Sequence, residues 1–407
     1  MKNELLTQYK KATLFYKNKL SCIISFDNAP FTTKAELLNS QLQFPPYGDF
    51  TDSKKKISQV YRTSGTSESP LLLTFTNQDI QTITEIGKDC FSHCRMGKNG
   101  NKEIVINCMN LSMWAGGFLD SQSMLKTGVQ VINFGTGNTT GLVKLINNLN
   151  NRDFKVSIHC TPSYLPKIES RLQEAFKIAP RELKLNAFYL GGEAGVQNNE
   201  FRNKLQETWK CKVFNANYGM SEVCSIMASA SDDNILKFSE LYLKYYFNEL
   251  LENNSTKSFA ALSEGDESDL IVTSLIKQSQ PLLRYQTKEK IRILRVDKTE
   301  IYFEVIGRSD DMLVYKGINI FPEQFRTIIS RFSELSGIYK ILIKTENNMI
   351  TDMNLVCELS NITAIPENIL RTRLQSKIRE NLSIKPGICF TNKIDFNGNK
   401  HKIIEYV

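Results

Sequence analysis

Histidine is scarce in this chain, with three in 407 residues: His93, His159 and His401. That leaves little material for a histidine-based triad or a zinc hydrolase. Long apolar runs are also missing. None approaches the ~18 residues needed to cross a bilayer. The N-terminal stretch MKNELLTQYKKATLFYKNKL is charged and amphipathic, and the short LSCIISF after it has no small-residue cleavage pattern. A cytoplasmic protein is expected. Tight basic runs are lacking apart from Lys54, Lys55 and Lys56, so the net charge of +8 is scattered. Scattered charge suits a small polyanion, such as a nucleotide or coenzyme A, at least as well as nucleic acid. With 41% hydrophobic and 23% charged residues, disordered and fibrous classes are excluded.

Cysteine is not scarce, but its nine residues show no regular spacing. Reduced thiols are expected. Cys90, His93 and Cys94 invite a metal reading, yet Ile80, Ile83, Gly87, Cys90 and Cys94 recur at helical spacing. Core thiols on one helix face explain them better, and no second pair with ligand spacing exists.

The length suggests two or more domains. No internal repeat is visible. Residues 1–20 read as one amphipathic helix. Residues 104–108, 129–133, 154–158 and 187–190 read as short buried strands alternating with helices such as 140–149 and 163–178. That alternation predicts an α/β fold with mostly parallel sheet covered by helices on both faces. From about residue 268 three strands with short polar turns (DLIVTSL, KIRILRV, IYFEVIG) predict an antiparallel portion. The last ~95 residues hold a helix at 322–332, a hairpin pairing 339–345 with 350–358, a helix at 366–381 and a final strand: a small α+β unit. The expected division is 1–308 for a large N-terminal domain and 309–407 for a small, mobile C-terminal lid.

Residues 187–223 read strand, Gly-Gly-Glu turn, helix, strand, Tyr-Gly-Met-Ser-Glu loop. Phe201, Leu205 and Trp209 mark the helix's buried stripe. A βαβ unit places both loops at the C-terminal edge of neighbouring parallel strands, where open α/β sheets bind ligands. Gly191 and Gly192 permit close approach to the backbone, Tyr218 offers a ring face, and Glu222 offers a hard oxygen for Mg²⁺.

These residues resemble the adenylate-forming acyl-activating superfamily, and most closely its phenylacetate–coenzyme A ligases, over nearly the whole chain and in motif order. PFTTKAELL (30–38), RTSGTSESP (62–70), TGNTTGLVKLI (136–146), TPSYLPKI (161–168), GGEAG (191–195), YGMSEV (218–223), PLLRYQTKEK (281–290) and GRSDDMLVYKGINIFPEQF (307–325) are similar to family blocks. The resemblance implies an AMP-forming acid–thiol ligase that uses ATP, Mg²⁺ and coenzyme A. A carboxylate attacks the α-phosphorus of ATP, releasing pyrophosphate, and a thiol then displaces AMP from the acyl carbon. It also implies the roles. Ser64, Gly65, Thr66 and Ser67 would hold the β- and γ-phosphates. Gly191, Gly192, Glu193, Asn217, Tyr218, Gly219, Met220 and Ser221 would line the nucleotide. Glu289 and Arg308 would hold the ribose, and Glu222 the Mg²⁺. Asp310 would be the hinge. Lys400, with Lys402 as the fallback, would be the catalytic lysine of the terminal block FNGNKHKII. Met113, Trp114, Gly116 and Gly117 would form a flat slot for an aromatic monocarboxylate.

The chain departs from the family at four places. Glu68 and Ser69 replace the phosphate loop's Gly-Lys. Lys288 and Glu289 replace Gly-Asp after Thr287. Ala216 stands where an acidic residue faces adenine's amino group. Asn399 blurs the terminal Gly-Lys pair. Expected partners are a small carboxylic acid and coenzyme A, with no nucleic acid and no membrane; a homodimer is compatible with the reading. Two alternatives stay open: transfer to a carrier protein's phosphopantetheine, and a nucleotide- or acyl-binding protein that has lost catalysis.

Overall fold

The computed structural model describes residues 2–63, 70–150, 154–193, 195–252, 255–316, 318–346, 349–360, 365–395 and 403–407. Ser64, Gly65, Thr66 and Ser67, with Glu68 and Ser69 beside them, lie outside the described residues, as do Lys400 and Lys402.

A continuous twelve-stranded sheet runs through the large part of the molecule. Its strand order is Ser255–Ser258, Tyr246–Glu252, Glu267–Ser274, Tyr285–Asp297, Glu300–Arg308, Leu236–Phe238, Cys224–Ala230, Lys212–Met220, Ala187–Gly191, Lys155–Cys160, Glu103–Asn107 and Gln130–Asn133. The last five pair in parallel. The others pair antiparallel. The expected parallel and antiparallel portions are therefore two halves of one sheet. They meet where Lys212–Met220 is parallel to one neighbour and antiparallel to the other.

Helices cover both faces of the inner parallel strands. Glu103–Asn107 and Ala187–Gly191 are buried at every position. Helix Asn77–His93 lays Ile80, Ile83, Gly87 and Cys90 into the core, with Cys94 buried just beyond its end. A Cβ on Gly87 would stand 2.2 Å from Ser123 Oγ, so that glycine lets helix Ala115–Leu125 pack directly against this one. The N-terminus differs from the single helix expected. Thr13 divides it into Lys2–Ala12 and Leu14–Lys19, because its hydroxyl accepts from the Tyr16 N–H at 3.3 Å and starts a new helix.

A second core belongs to the C-terminal unit. Its sheet has the order Gly387–Thr391, Met349–Leu359, Leu335–Glu346, Ile404–Tyr406. Helices Pro322–Ile329 and Glu367–Leu382 bury Phe325, Ile328, Leu374 and Ile378 against Ile341 and Leu355. No helix among the described residues is long and apolar enough to cross a membrane.

Candidate functional site

The βαβ unit forms as its sequence predicts. Strand Ala187–Gly191, helix Asn199–Trp209 and strand Lys212–Met220 bring Gly191 into register with Asn217. The approach is tight: a Cβ on Gly191 would stand 2.3 Å from the Asn217 Cβ. The Gly192 N–H donates to the Asn217 carbonyl at 3.3 Å. Gly219 is squeezed in the same way, since a Cβ there would stand 2.2 Å from the Ser225 carbonyl oxygen, as the chain turns back through Met220, Ser221 and Glu222. Both loops thus stand at one edge of the sheet.

Two of the nucleotide candidates are already committed elsewhere. The Glu193 carboxylate accepts from the Ser163 N–H at 3.1 Å and from its hydroxyl at 2.9 Å, which ties the Gly191–Glu193 turn to the TPSY turn. The Asn217 amide donates to Asp120 at 2.7 Å.

Glu222 is nearly buried, and its carboxylate pairs with the Lys34 ammonium at 3.0 Å. Lys34 opens helix Lys34–Gln43, whose start is fixed by a reciprocal cap between Thr33 and Glu36. The preceding Thr32 is stitched to the sheet through Arg284 and Gln286. From below, the buried Lys277 donates to the Glu222 carbonyl at 2.8 Å. Burial brings the Lys277 amine down to about 8, against the pull of Asp79 and Glu222. Burial pushes the neighbouring Tyr285 phenol up, and the Glu222 charge adds to it. Glu222 is therefore a nearly buried carboxylate, held from its backbone by Lys277 and paired at its side chain with Lys34.

Arg308 gathers the second half of the site. Its guanidinium donates to Glu289 at 2.8 Å and forks onto Asp310 at 3.0 and 2.9 Å. Burial opposes its charge, but Asp310, Glu289 and Asp311 outweigh that and hold its pKa up. Burial raises Glu289 to about 7, with Arg308 pulling the other way. The Tyr218 ring packs edge-on to Phe303 at 5.2 Å, and its hydroxyl is buried without a hydrogen-bond partner among the described residues. Burial pushes that phenol up, and the Glu289 charge adds to it.

Lys288 adopts φ +64°, the left-handed conformation that glycine favours. It stands where the family block has glycine, so the departure changes the side chain and keeps the turn. The Ser309 N–H donates to its carbonyl at 2.8 Å, pinning the geometry. Lys288→Gly is expected to stabilise the protein by about 1 kcal/mol through relief of this strain. Urea denaturation checks it; a less stable variant would show that the lysine side chain, not the backbone, decides.

Of the four acyl candidates, Met113 and Trp114 lie beside Arg62. The Arg62 N–H donates to the Met113 carbonyl at 2.8 Å, and Arg62 bridges to Trp114. Met113 is half exposed at φ +61°. Gly117 is packed shut, since a Cβ would meet the Asn110 carbonyl at 2.4 Å. Gly116 is open enough that a Cβ would meet only ordinary contacts, Ser225 Oγ at 3.7 Å and Asp120 Oδ2 at 3.8 Å.

Lys34, Lys277, Tyr285 and Asp120 were not singled out from the sequence. Lys34 and Tyr285 lie inside quoted blocks, which was the only signal available. Asp120 closes the stretch 110–120 that holds the acyl candidates, and Lys277 carries no signal; their partners lie 39 to 105 residues away.

A Gly-Gly turn, a backbone-anchored carboxylate and an Arg–Glu pair thus stand at one sheet edge, next to a small C-terminal unit. The family described as the AMP-binding enzyme C-terminal domain matches residues 317–404. The chain is similar in sequence to phenylacetate–coenzyme A ligases of the adenylate-forming acyl-activating superfamily. It is 25% identical over 343 residues to the phenylacetate–coenzyme A ligase of Pseudomonas putida, covering 82% of this chain and 72% of that one. To the Escherichia coli K12 phenylacetate–coenzyme A ligase it is 23% identical over 368 residues, covering 88% and 78%. In fold it is similar to a 2-hydroxyisobutyryl-CoA ligase solved in the postadenylation state, with a TM-score of 0.83 at 19% identity over all of this chain and 88% of that one. The same ligase in the thioesterification state gives 0.64 over 99% and 87%.

Proposed function

We propose that this protein condenses a carboxylic acid with ATP to an acyl-adenylate and pyrophosphate, then passes the acyl group to the thiol of coenzyme A, releasing AMP. The convergence of Glu222, Glu289, Arg308 and the Gly191–Gly192 turn on one edge carries this reading. Adenylation is useful because a carboxylate oxygen is a poor leaving group and a phosphate ester is a good one. Proteins aid such chemistry chiefly by position and fixed charge.

Within this reading the nucleotide lies along the edge, with Tyr218 and the glycines beside its base. The Arg308–Glu289 pair holds the ribose. Ser64, Gly65, Thr66 and Ser67 hold the phosphates. Glu222 suits Mg²⁺, which is commonly bound by one or two carboxylates together with substrate phosphates. The ion would add positive charge at the phosphates there. Residues 309–407 act as a lid turning about Asp310, and Lys400 acts on the carboxylate and α-phosphate in the first half-reaction. The acid is an aromatic monocarboxylate lying against Met113 and Trp114. The setting is the cytoplasm, in keeping with nine unpaired thiols. A carrier protein's phosphopantetheine is the competing thiol, and a homodimer remains compatible with the reading.

Pyrophosphate exchange over a panel of aromatic and aliphatic acids tests the first step. Exchange with an aromatic acid, followed by thioester formation with coenzyme A, is the expected result. Exchange with thioester only on a carrier protein would replace coenzyme A. No exchange with any acid would sink the catalytic reading.

The raised carboxyl of Glu289 gives this reading a pH signature. A carboxyl near pKa 7 is mostly neutral at pH 6 and mostly ionised at pH 8, and only the ionised form accepts from both ribose hydroxyls. Adenosine affinity is expected to rise about tenfold from pH 6 to pH 8, because the ionised fraction rises by that factor about a pKa of 7. Glu289→Gln should flatten the profile. Titration calorimetry checks both, and a flat wild-type profile would remove Glu289 from the ribose.

A further inference from the structure

Behind Gly116 lies a polar cluster that the roles assigned above leave unused. Asp120, on the same face of its helix as Gly116 and one turn further on, is fully buried. Its Oδ2 lies 3.0 Å from the Nε2 of the fully buried His159 and accepts from the Asn217 amide at 2.7 Å, while its Oδ1 accepts from the Ser225 hydroxyl. His159 Nδ1 lies 2.8 Å from the Tyr189 carbonyl, which can only accept. The Nδ1 therefore carries a proton, and a second proton must lie between Nε2 and Oδ2. Oδ1 is left unprotonated, so Ser225 is the donor in its bond to Asp120.

That proton count fixes what Ser225 can offer outward. Its single hydrogen is spent on Asp120, and only lone pairs remain. Ser225 and Asn217, at 8% and 7% exposure, are the cluster's two outermost members. Gly116 has no side chain to cover Ser225, and the position its Cβ would occupy is 3.7 Å from that oxygen. Of the residues assigned to the acyl slot, Met113 and Trp114 are apolar, while the atom nearest the missing Gly116 side chain is the Ser225 hydroxyl oxygen, a hydrogen-bond acceptor.

We propose that Ser225, oriented by Asp120, is a specificity-determining residue, and that the acid this protein takes carries a hydrogen-bond donor, a hydroxyl or amino group, on the part that lies against Gly116. The inference deepens the acid-activating reading and rests on it. A plain hydrocarbon at this position would leave the Ser225 lone pairs buried and unmatched, and sites built for a hydrogen bond discriminate strongly against analogues that lack it.

The test uses acyl-sulfamoyl adenosines, stable analogues of the acyl-adenylate, in pairs differing only by hydroxyl or amino against hydrogen. Phenylacetyl, benzoyl and short aliphatic pairs are titrated calorimetrically into the full chain, alongside pyrophosphate exchange with the free acids. The wild type is expected to bind at least one substituted member roughly tenfold or more tighter than its plain partner. In Ser225→Ala that preference should fall to about threefold or less, with the plain analogue bound nearly as before. Gly116→Ala is the second variant. Its added methyl makes only ordinary contacts and suits a helix, so folding is kept while the path to Ser225 is blocked, and the preference should fall likewise. No preference in the wild type across the panel, or a preference that survives both variants, overturns the proposal. Efficient exchange with plain acids and no preference overturns it alone. Tighter binding of a substituted analogue with no exchange for any acid keeps the specificity and overturns the catalytic reading. Failure of the folded wild type to bind any analogue overturns both.

Discussion

Glu222→Ala is expected to cut acyl-adenylate formation about 10²–10³-fold, the scale on which one well-placed charge acts at a site of phosphoryl chemistry. The structure separates this loss from unfolding. Lys277 holds Glu222 by its backbone carbonyl, and that bond survives truncation of the side chain. What disappears is the carboxylate and its pair with Lys34 at 3.0 Å, whose lysine end is about one-third exposed. A pair of that kind contributes roughly 1 kcal/mol or less to stability. Pyrophosphate exchange should therefore collapse while the thermal midpoint moves little. The exchange of Glu222→Ala should also lose its response to Mg²⁺ concentration, because the hard oxygen has gone. Glu222→Gln keeps the shape but not the charge, and belongs with the alanine variant. Wild-type exchange rates in either variant would remove Glu222 from the reaction.

The parts of this site differ in how far the sequence could reveal them. The βαβ unit was legible because its information is local. Phe201, Leu205 and Trp209 repeat at helical spacing between two apolar runs, and all three do face the core. Strand Cys224–Ala230 was missed for the opposite reason. Its seven residues, CSIMASA, are all buried, so no alternation marks them, and most are too small to look like strand. The break at Thr13 was hidden because an amphipathic pattern continues across it. Long-range partnership was beyond the sequence altogether. Glu222 was readable as a ligand from its motif, yet the lysine that faces it lies 188 positions earlier. Asp120, His159, Asn217 and Ser225 come from a helix and three strands and meet only in the folded sheet. Motifs gave the place of Glu193 and Asn217 but not their side-chain bonds. Glu193 and Asn217 could each be assigned to the nucleotide from a block in it or beside it, and each is bonded to a neighbour that the block does not contain.

In the proposed reading Arg308 joins the ribose side to the hinge, so Arg308→Ala is expected to act on both. One guanidinium serves Glu289 at 2.8 Å and Asp310 at 3.0 and 2.9 Å. Its removal leaves Glu289 nearly buried with no cation. Burial already lifts that carboxyl to about 7 against Arg308's pull, so without the arginine it rises further. At neutral pH Glu289 then becomes mostly protonated, and the ribose loses two ionic partners together. Truncating one member of a buried charge pair costs about 3–5 kcal/mol at full burial. Arg308 is 41% exposed, which brings the expected effect on nucleotide affinity to about 2–3 kcal/mol, or roughly 10²-fold. The diagnostic is the pH profile. Adenosine binding by Arg308→Ala should recover above neutral pH, with a midpoint moved upward from about 7, as Glu289 is forced to ionise. Arg308→Lys should restore the midpoint in part but not the full affinity, since one ammonium cannot fork onto Glu289 and Asp310 as a planar guanidinium does. The second readout is the balance of half-reactions. With Asp310 released, the proposed hinge loses its side-chain anchor, so acyl-adenylate formation should fall more than thioester formation from added acyl-adenylate. An Arg308→Ala protein that binds adenosine as tightly as the wild type, with the same midpoint, would show that Arg308 only props the hinge and that the ribose is held elsewhere.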